Sequence, residues 1–224
     1  ASVAGSVAYA NAGASKTSVG SAGAAAVNLS EGTTAAFVAA LTSMQVSKLG
    51  VQADRSGVIV TLAAGGAGAP GRNGYAVAGS VAVAQMRNTV TAEVRDVVNL
   101  ATSGTITIEA QNRLTNVLVA GAAAVGGKVG IGLGVAVGLV DDSITARLSG
   151  SSVSHGGDVT VKATNDAQTV SVAAAAGIAS GTGNAVGLAG TFSVNIVESD
   201  TTAEILNSTL SNSSTTDGDI IVNA

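Results

Sequence analysis

The chain has 224 residues, a formal net charge of -4, 46% hydrophobic residues and only 2% aromatic residues, with no Trp and no Cys. This composition excludes a conventional thick core filled by large rings, and it excludes disulfides and thiolate metal sites. The ten Lys and Arg residues are scattered singly, which argues against a nucleic-acid partner.

Four short strand-like segments recur in a fixed order. In chain order the first set is AAAVNL at 24–29, TAAF at 34–37, VQA ending at Ala53, and VIVTLAAGG at 58–66. The TAAF segment returns as TAEV, TARL and TAEI, and the second residues of the four copies lie 57, 54 and 57 residues apart. The sequence therefore predicts repeats of about 56 residues, each with four candidate strands.

The repeated segments alternate between polar and small apolar residues, which indicates β-strands rather than helices. In the TAAF copies the alternation predicts Thr34, Thr91, Thr145 and Thr202 outward. It predicts Ala35, Ala92, Ala146 and Ala203 inward, together with Phe37, Val94, Leu148 and Ile205. Asn28 and Asn195 fall at equivalent positions and are candidates for a stacked amide ladder.

The most apolar segment, 116–140, is long enough to suggest a membrane-spanning helix. It contains Lys128 and many glycines, however, and the equivalent segments of the other repeats carry Ser, Asn and Arg. We therefore expect no membrane span. The segment is predicted to form two strands joined by a turn at Gly126 and Gly127, with Lys128 facing solvent and with its glycines allowing close backbone packing.

Candidate chemistry is sparse, and no catalytic or cofactor-binding residue is predicted. His155, the single histidine, is interpreted as a surface turn residue. The glycine-rich segments 65–74 and 130–138 lack the phosphate-loop pattern and are interpreted as turns. No enzyme activity is expected.

Calcium is kept as an alternative to the absence of any cofactor. Acidic residues recur where one repeated segment gives way to the next, and two more lie near the C-terminal end of the sequence. They are Glu31, Asp141, Asp142, Glu198, Asp200, Asp217 and Asp219. Carboxylates at turns are hard oxygen ligands suited to Ca²⁺, although short acidic side chains also cap turns and solubilise surfaces.

The segments VTVKATNDAQTVSVAAAAG and GTFSVNIVESDTTAEI resemble the repeat region of giant secreted bacterial adhesins of the filamentous-haemagglutinin or leukotoxin-type filamentous class. The resemblance extends over essentially the whole chain and implies a secreted, cell-surface protein built as a long β-solenoid. Stacking physics independently favours that fold, because a repeat of this kind buries its apolar face only against its neighbours.

We therefore predict an all-β, elongated β-solenoid of the parallel β-helix type, built from about four repeats. The predicted divisions are a half unit at 1–29, units at 30–85, 86–140 and 141–197, and a half unit at 198–224, as a window of a longer protein. Either three coils of about 19 residues or two coils of two strands fit the repeat length.

The predicted function is the structural shaft of an extracellular filament or adhesin. Its expected partners are further copies of itself, joined end to end, and a host or neighbouring cell surface. One alternative is an ice- or surface-binding solenoid that uses the Thr-x-Thr pairs Thr89/Thr91 and Thr105/Thr107. The other is a polysaccharide-active β-helix, which requires a groove with clustered basic and acidic residues.

Overall fold

A computed structural model describes residues 2–9, 17–214 and 218–224. The regular structure of these residues is entirely β-strand, which confirms the predicted all-β class. The strands are β1 Ser2–Tyr9, β2 Thr17–Leu41, β3 Met44–Val46, β4 Leu49–Ala69, β5 Asn73–Val97, β6 Leu100–Thr102, β7 Ile106–Gly126, β8 Val129–Ser149, β9 Ser152–His155, β10 Val159–Asn165, β11 Gln168–Ala179, β12 Val186–Leu206, β13 Thr209–Asn212 and β14 Ile220–Asn223.

These strands form three parallel sheets that the chain visits in rotation. The front sheet contains β2, β5, β8 and β12, and the short sheet contains β3, β6, β9 and β13. The back sheet contains β1, β4, β7, β10, β11 and β14. Because each strand pairs with the strand one turn further along the chain, the molecule is a β-solenoid, as predicted.

One repeat of the sequence makes one coil. In the front sheet, Ala25 pairs with Val81, Val81 with Val135, and Val135 with Phe192. The two residues of each pair are therefore separated in the sequence by one repeat. The expectation of two or three coils per repeat was therefore wrong, because strands of 21 to 25 residues use up the repeat length in a single turn.

The four candidate strands of each repeat merge into two. The segments AAAVNL and TAAF lie within β2, and VQA and VIVTLAAGG lie within β4. The acidic residues at these junctions are therefore inside strands rather than at turns. The short sheet was not recognised in the sequence, because its strands have only three or four residues.

The half of each coil next to the short sheet, which we call the base, encloses large aliphatic side chains. Val90, Ile108, Ile144, Leu148 and Val153 are 0–1% exposed and pack in one cluster. Alternate residues of the same strands carry Thr, Glu and Arg outward. The predicted inward positions Ala92, Ala146, Val94 and Leu148 are all buried, as expected.

The first copy of the TAAF segment is the exception. The front sheet pairs Ala36 with Ala92 and Phe37 with Glu93, so the first copy is offset by one residue from the sequence alignment. Phe37 is 65% exposed, whereas Ala36 packs against the base cluster. The predictions that Phe37 and Ala35 point inward and that Thr34 points outward were wrong, because a one-residue change of register exchanges the two faces of a strand.

The other half of each coil, which we call the blade, encloses only small side chains between the front and back sheets. Buried alanines such as Ala63, Ala82 and Ala124 fill this interior. A Cβ atom placed on Gly130 would lie 2.1 Å from the backbone oxygen of Ile178, and one on Gly132 would lie 2.4 Å from that of Ala176. The glycines therefore allow the two sheets to approach closely, as the sequence predicted.

The segment 116–140 spans the blade as parts of two strands. β7 ends at Gly126, β8 begins at Val129, and Gly127 and Lys128 form the turn between them. Lys128 is exposed at the blade tip, with its Nζ atom 5.9 Å from the centre of the Tyr75 ring. In the described ranges, no helix is long and apolar enough to cross a membrane.

Candidate functional surfaces

The single histidine lies inside the base rather than on a surface turn. His155 ends β9, is 2% exposed, and places Nδ1 2.7 Å from the carbonyl oxygen of Gly157. Since a carbonyl oxygen only accepts, Nδ1 carries the donated proton in this contact. The surface prediction was wrong because the short strand that positions this residue was missed.

The glycine-rich segments are mostly strand. Residues 130–138 lie within β8, and residues 65–69 end β4, so only residues 70–72 form a turn. The turn interpretation of 130–138 was wrong. Its glycines serve the close approach of the two sheets, as Gly130 and Gly132 demonstrate.

The acidic residues separate onto opposite faces of the front sheet. Arg87 lies between Glu31 and Asp141 on the outer face and contacts both, at 3.3 and 3.2 Å. Asp142 points inward and is 1% exposed. Asp217 lies outside the described residues. In the described part of the chain, no three His, Cys, Asp or Glu side chains are grouped to hold a metal ion.

A buried polar cluster at the boundary between base and blade was not predicted. Asn88 Nδ2 donates to Asp142 Oδ1 at 2.7 Å, and Asn112 Nδ2 donates to Asp142 Oδ2 at 2.9 Å and to Asn165 Oδ1 at 3.0 Å. Asn165 Nδ2 in turn donates to the Ser199 hydroxyl at 2.6 Å. These bonds connect the front sheet to the back sheet across several coils.

Burial raises the pKa of the Asp142 carboxyl above its ordinary value of 3.8, and the nearby Asp141 carboxylate acts in the same direction. Hydrogen bonds from Asn88, Asn165 and Asn112 oppose that rise in the pKa. The sequence contained a signal for this cluster. Asn88 and Asp142 each precede an inward alanine, Ala92 or Ala146, by four residues, so strand alternation places them inward too.

The predicted amide ladder of Asn28 and Asn195 does not form. These residues lie on the outermost strands of the front sheet, β2 and β12, and their partners on the intervening strands are Ala84 and Gly138. Asn195 Oδ1 instead accepts a hydrogen bond from the Ser171 hydroxyl at 2.5 Å. Side-chain ladders need the same amide in successive coils, which the intervening residues interrupt.

Threonines form two short columns on the outer face of the front sheet. Thr91 pairs with Thr145, which pairs with Thr202, while Thr89 pairs with Thr33 and Ser143. Charged side chains border these columns, with Arg87 on one side and Glu93 on the other. In the back sheet, Thr107 pairs with Gly50 and Thr160. The threonine surface is therefore narrow and bounded by charge.

Two of the shallow depressions on the described surface have polar linings. One, of about 540 Å³, lies over the short sheet, and its eight lining residues are all uncharged, including Gln45, Thr102 and Ser154. The other, of about 310 Å³, lies at the blade tip beside Arg72 and Lys128, with Asn73, Thr182 and amide backbone. Neither lining set combines a basic residue with a carboxylate.

The two ends of the front sheet are open edges. In the residues that the structure describes, β2 pairs only with β5, and β12 pairs only with β8. An unpaired edge leaves inward side chains uncovered. The inward column formed by Met86, Val140 and Val197 is an example. Met86 and Val140 are 0% and 4% exposed, whereas Val197, in the last coil, is 57% exposed. An interior-facing apolar side chain is thus uncovered at this end.

Comparison with protein-family models, curated proteins and solved structures found no match to this chain.

Proposed function

We propose that this chain is a shaft segment of an extracellular bacterial filament or giant adhesin, and that its coils stack end to end on further coils of the same kind. The observation that carries the proposal is the exposed interior column at the last coil, represented by Val197. Inside the molecule, the inward apolar side chains of each coil are covered by the neighbouring coil, as Met86 and Val140 are, and another coil stacked on β12 would cover Val197 in the same way.

The repeated register supports this proposal. Every front-sheet strand pairs in parallel with the next, over 21 residues in both the β5–β8 and the β8–β12 pairs. A coil placed on β12 in the same register brings Ser30 of β2 over Val197. Covering a valine side chain fully stabilises by about 1.5–3 kcal/mol, and new backbone hydrogen bonds along the edge add to this.

A shaft role agrees with the polar chemistry of the surfaces described above. The two depressions described above combine no acid with a base, and in the buried polar cluster the side-chain nitrogens of Asn88 and Asn112 donate to Asp142. Dense parallel pairing resists extension, since separating two coils breaks three sheets together. The extracellular location and the cell-surface partner of this proposal rest on the family resemblance of the repeat segments.

The test introduces an inward charge at the open end. Val197→Lys places an ammonium where the next coil would stack, a device that blocks edge-to-edge association. Thr202→Lys is the matched control, because Thr202 lies on the same strand, is exposed and points outward. Electron microscopy and sedimentation velocity would measure particle length and mass across a concentration series, and circular dichroism would verify that both variants retain β-structure.

We expect wild type and Thr202→Lys to form threads that lengthen with concentration, and Val197→Lys particles to keep the length of one chain at every concentration. Threads of equal length from Val197→Lys would contradict the proposed joint. Wild-type particles that stay short at every concentration would contradict end-to-end stacking of this chain.

A further inference from the structure

The outer surface of the blade on the front sheet is a flat apolar area. We define this apolar face as the outward side chains of residues 19–29, 75–85, 129–139 and 186–196. It is uncharged, and only Ser21, Tyr75 and Gln85 contribute polar groups. Large side chains stand in solvent here: Leu133 is 50% exposed and Phe192 is 59% exposed.

The size of this face exceeds that of an ordinary monomer patch. Four strands spaced at about 4.8 Å and eleven residues at about 3.3 Å each give roughly 700 Å². The largest patch on a typical monomer is about 300–600 Å², and a stable protein interface buries about 800 Å² per partner. The area therefore fits one complete protein interface.

We propose that a second copy of this chain covers the apolar face, so that two blades pack front sheet to front sheet. A two-fold axis that runs parallel to the strands, between β5 and β8, opposes β2 with β12 and β5 with β8 of the other copy. Sheets pack face to face at about 10 Å, with their mean strand directions within about 30° of each other.

This symmetry matches large side chains with small ones. Leu133 of one copy faces Gly79 of the other, and Phe192 faces Ala25, because each pair occupies the same position along the strand. A Cβ atom on Gly79 would meet nothing within 4 Å, so this position has room for a leucine side chain. The large side chains on β8 and β12 of one copy thereby fill the space above the small side chains on β5 and β2 of the other.

The charged residues at the border of the apolar face also fit this two-fold arrangement of the two copies. The axis places Arg87 of one copy opposite Asp141 of the other, and Asp141 already attracts Arg87 within one chain at 3.2 Å. The outer carboxylates Glu31 and Glu198 also come opposite each other. Both are exposed, so solvent and salt screen their repulsion.

The back sheet offers a weaker surface for the same purpose. Its outward blade positions mix small residues, such as Ala64, Gly121 and Ala174, with larger ones, such as Val58 and Ile178, so it presents fewer large side chains than the front sheet. We therefore assign the pairing to the front sheet, independently of whether coils also stack end to end.

The experiment uses the full chain with Val197→Lys as background, so that end-to-end joining does not obscure lateral pairing. Leu133→Lys adds a charge at the centre of the apolar face, and Val119→Lys adds one at an outward position on β7, a central strand of the back sheet. Sedimentation equilibrium would give the dimer dissociation constant of each variant.

We expect the Val197→Lys chain and the chain with added Val119→Lys to form dimers. Adding Leu133→Lys should raise the dimer dissociation constant roughly 100-fold or more, since an unpaired buried ammonium is strongly unfavourable. A monomeric Val197→Lys chain, or a dimer lost only through Val119→Lys, would overturn the proposal. So would a monomer that binds phosphatidylcholine vesicles through Leu133, because the occupant would then be lipid. If wild type forms no threads, only the end-to-end stacking is contradicted, and the dimer dissociation constants still test the lateral pairing.

Discussion

The base and the blade belong to the same strands but arrange their side chains in opposite ways. In the base, Ile144 and Leu148 point inward and Arg147 points outward. In the blade, Gly132 and Ala136 point inward and Leu133 points outward. The strand period is the same in both halves, so side-chain volume alone determines whether the space between the sheets is wide or narrow.

This difference separates two sources of stability. The base gains from burial of aliphatic surface, as an ordinary core does. The blade gains from close backbone contact between sheets and has little apolar volume to bury inside. Its larger apolar side chains stabilise the protein only when something covers its outer faces.

The largest expected effect is the loss of a base side chain. Ile144→Ala removes a fully buried side chain from the middle of the base cluster and should lower the free energy of unfolding by about 2–5 kcal/mol. Val119→Ala, at an outward position of the blade, should cost less than about 1 kcal/mol. Urea unfolding of both variants measures the contrast, and equal losses would mean that the two halves do not differ as described.

The next effect tests the narrow interior of the blade. Gly132→Ala should destabilise by about 1–3 kcal/mol, because the new Cβ atom would lie 2.4 Å from the backbone oxygen of Ala176 and would force the sheets apart. Gly121→Ala is the control, since a Cβ atom there meets nothing within 4 Å. We expect the control to be neutral or stabilising by up to about 1 kcal/mol in the same unfolding measurement.

Stabilisation by Gly132→Ala would contradict the close contact between the sheets. Such a result would indicate that the blade interior holds space for additional methyl groups and is not limited by backbone approach.

The repeat length and strand alternation were sufficient to predict the solenoid class and the inward positions of the base, such as Ala92 and Leu148. They were insufficient for the coil count, because periodicity does not reveal whether two strand segments join. Glu31 and Asp141 looked like turn residues, whereas their strands continue through them with alternate side chains inside and outside.

The surfaces were harder to predict than the fold. His155 was misplaced because a strand of four residues carries too little alternation to recognise. The apolar face was missed for a different reason: hydrophobic residues are ordinarily assigned to the interior, so no outward apolar surface was predicted at Leu133 or Phe192. The close contact of Gly130 and Gly132 with the backbone of the opposite sheet shows that the blade interior has no room for side chains as large as those of Leu133 and Phe192.

The smallest expected effect concerns the buried cluster between the two halves. Because burial raises the pKa of Asp142 above 3.8, the folded chain binds that proton more tightly than the unfolded chain does. The contribution of Asp142 to stability is therefore largest at acidic pH and declines as pH rises from about 4 through the raised pKa. Asp142→Asn removes this titration, so the variant should gain stability relative to wild type as pH increases.

The substitution keeps the cluster bonded. Asn88 Oδ1 has no hydrogen-bond partner among the residues that the structure describes, and rotation of that amide lets it accept from the new Nδ2 atom. The change in the free energy of unfolding at any one pH should therefore stay at about 1 kcal/mol. Asp158→Asn is the control, because Asp158 is exposed and is not among the groups that shift the pKa of Asp142. Urea unfolding of the three proteins between pH 3 and pH 8 measures the differences. If the stability advantage of Asp142→Asn over wild type stays constant or shrinks as pH rises, the pKa of Asp142 is not raised in the folded chain.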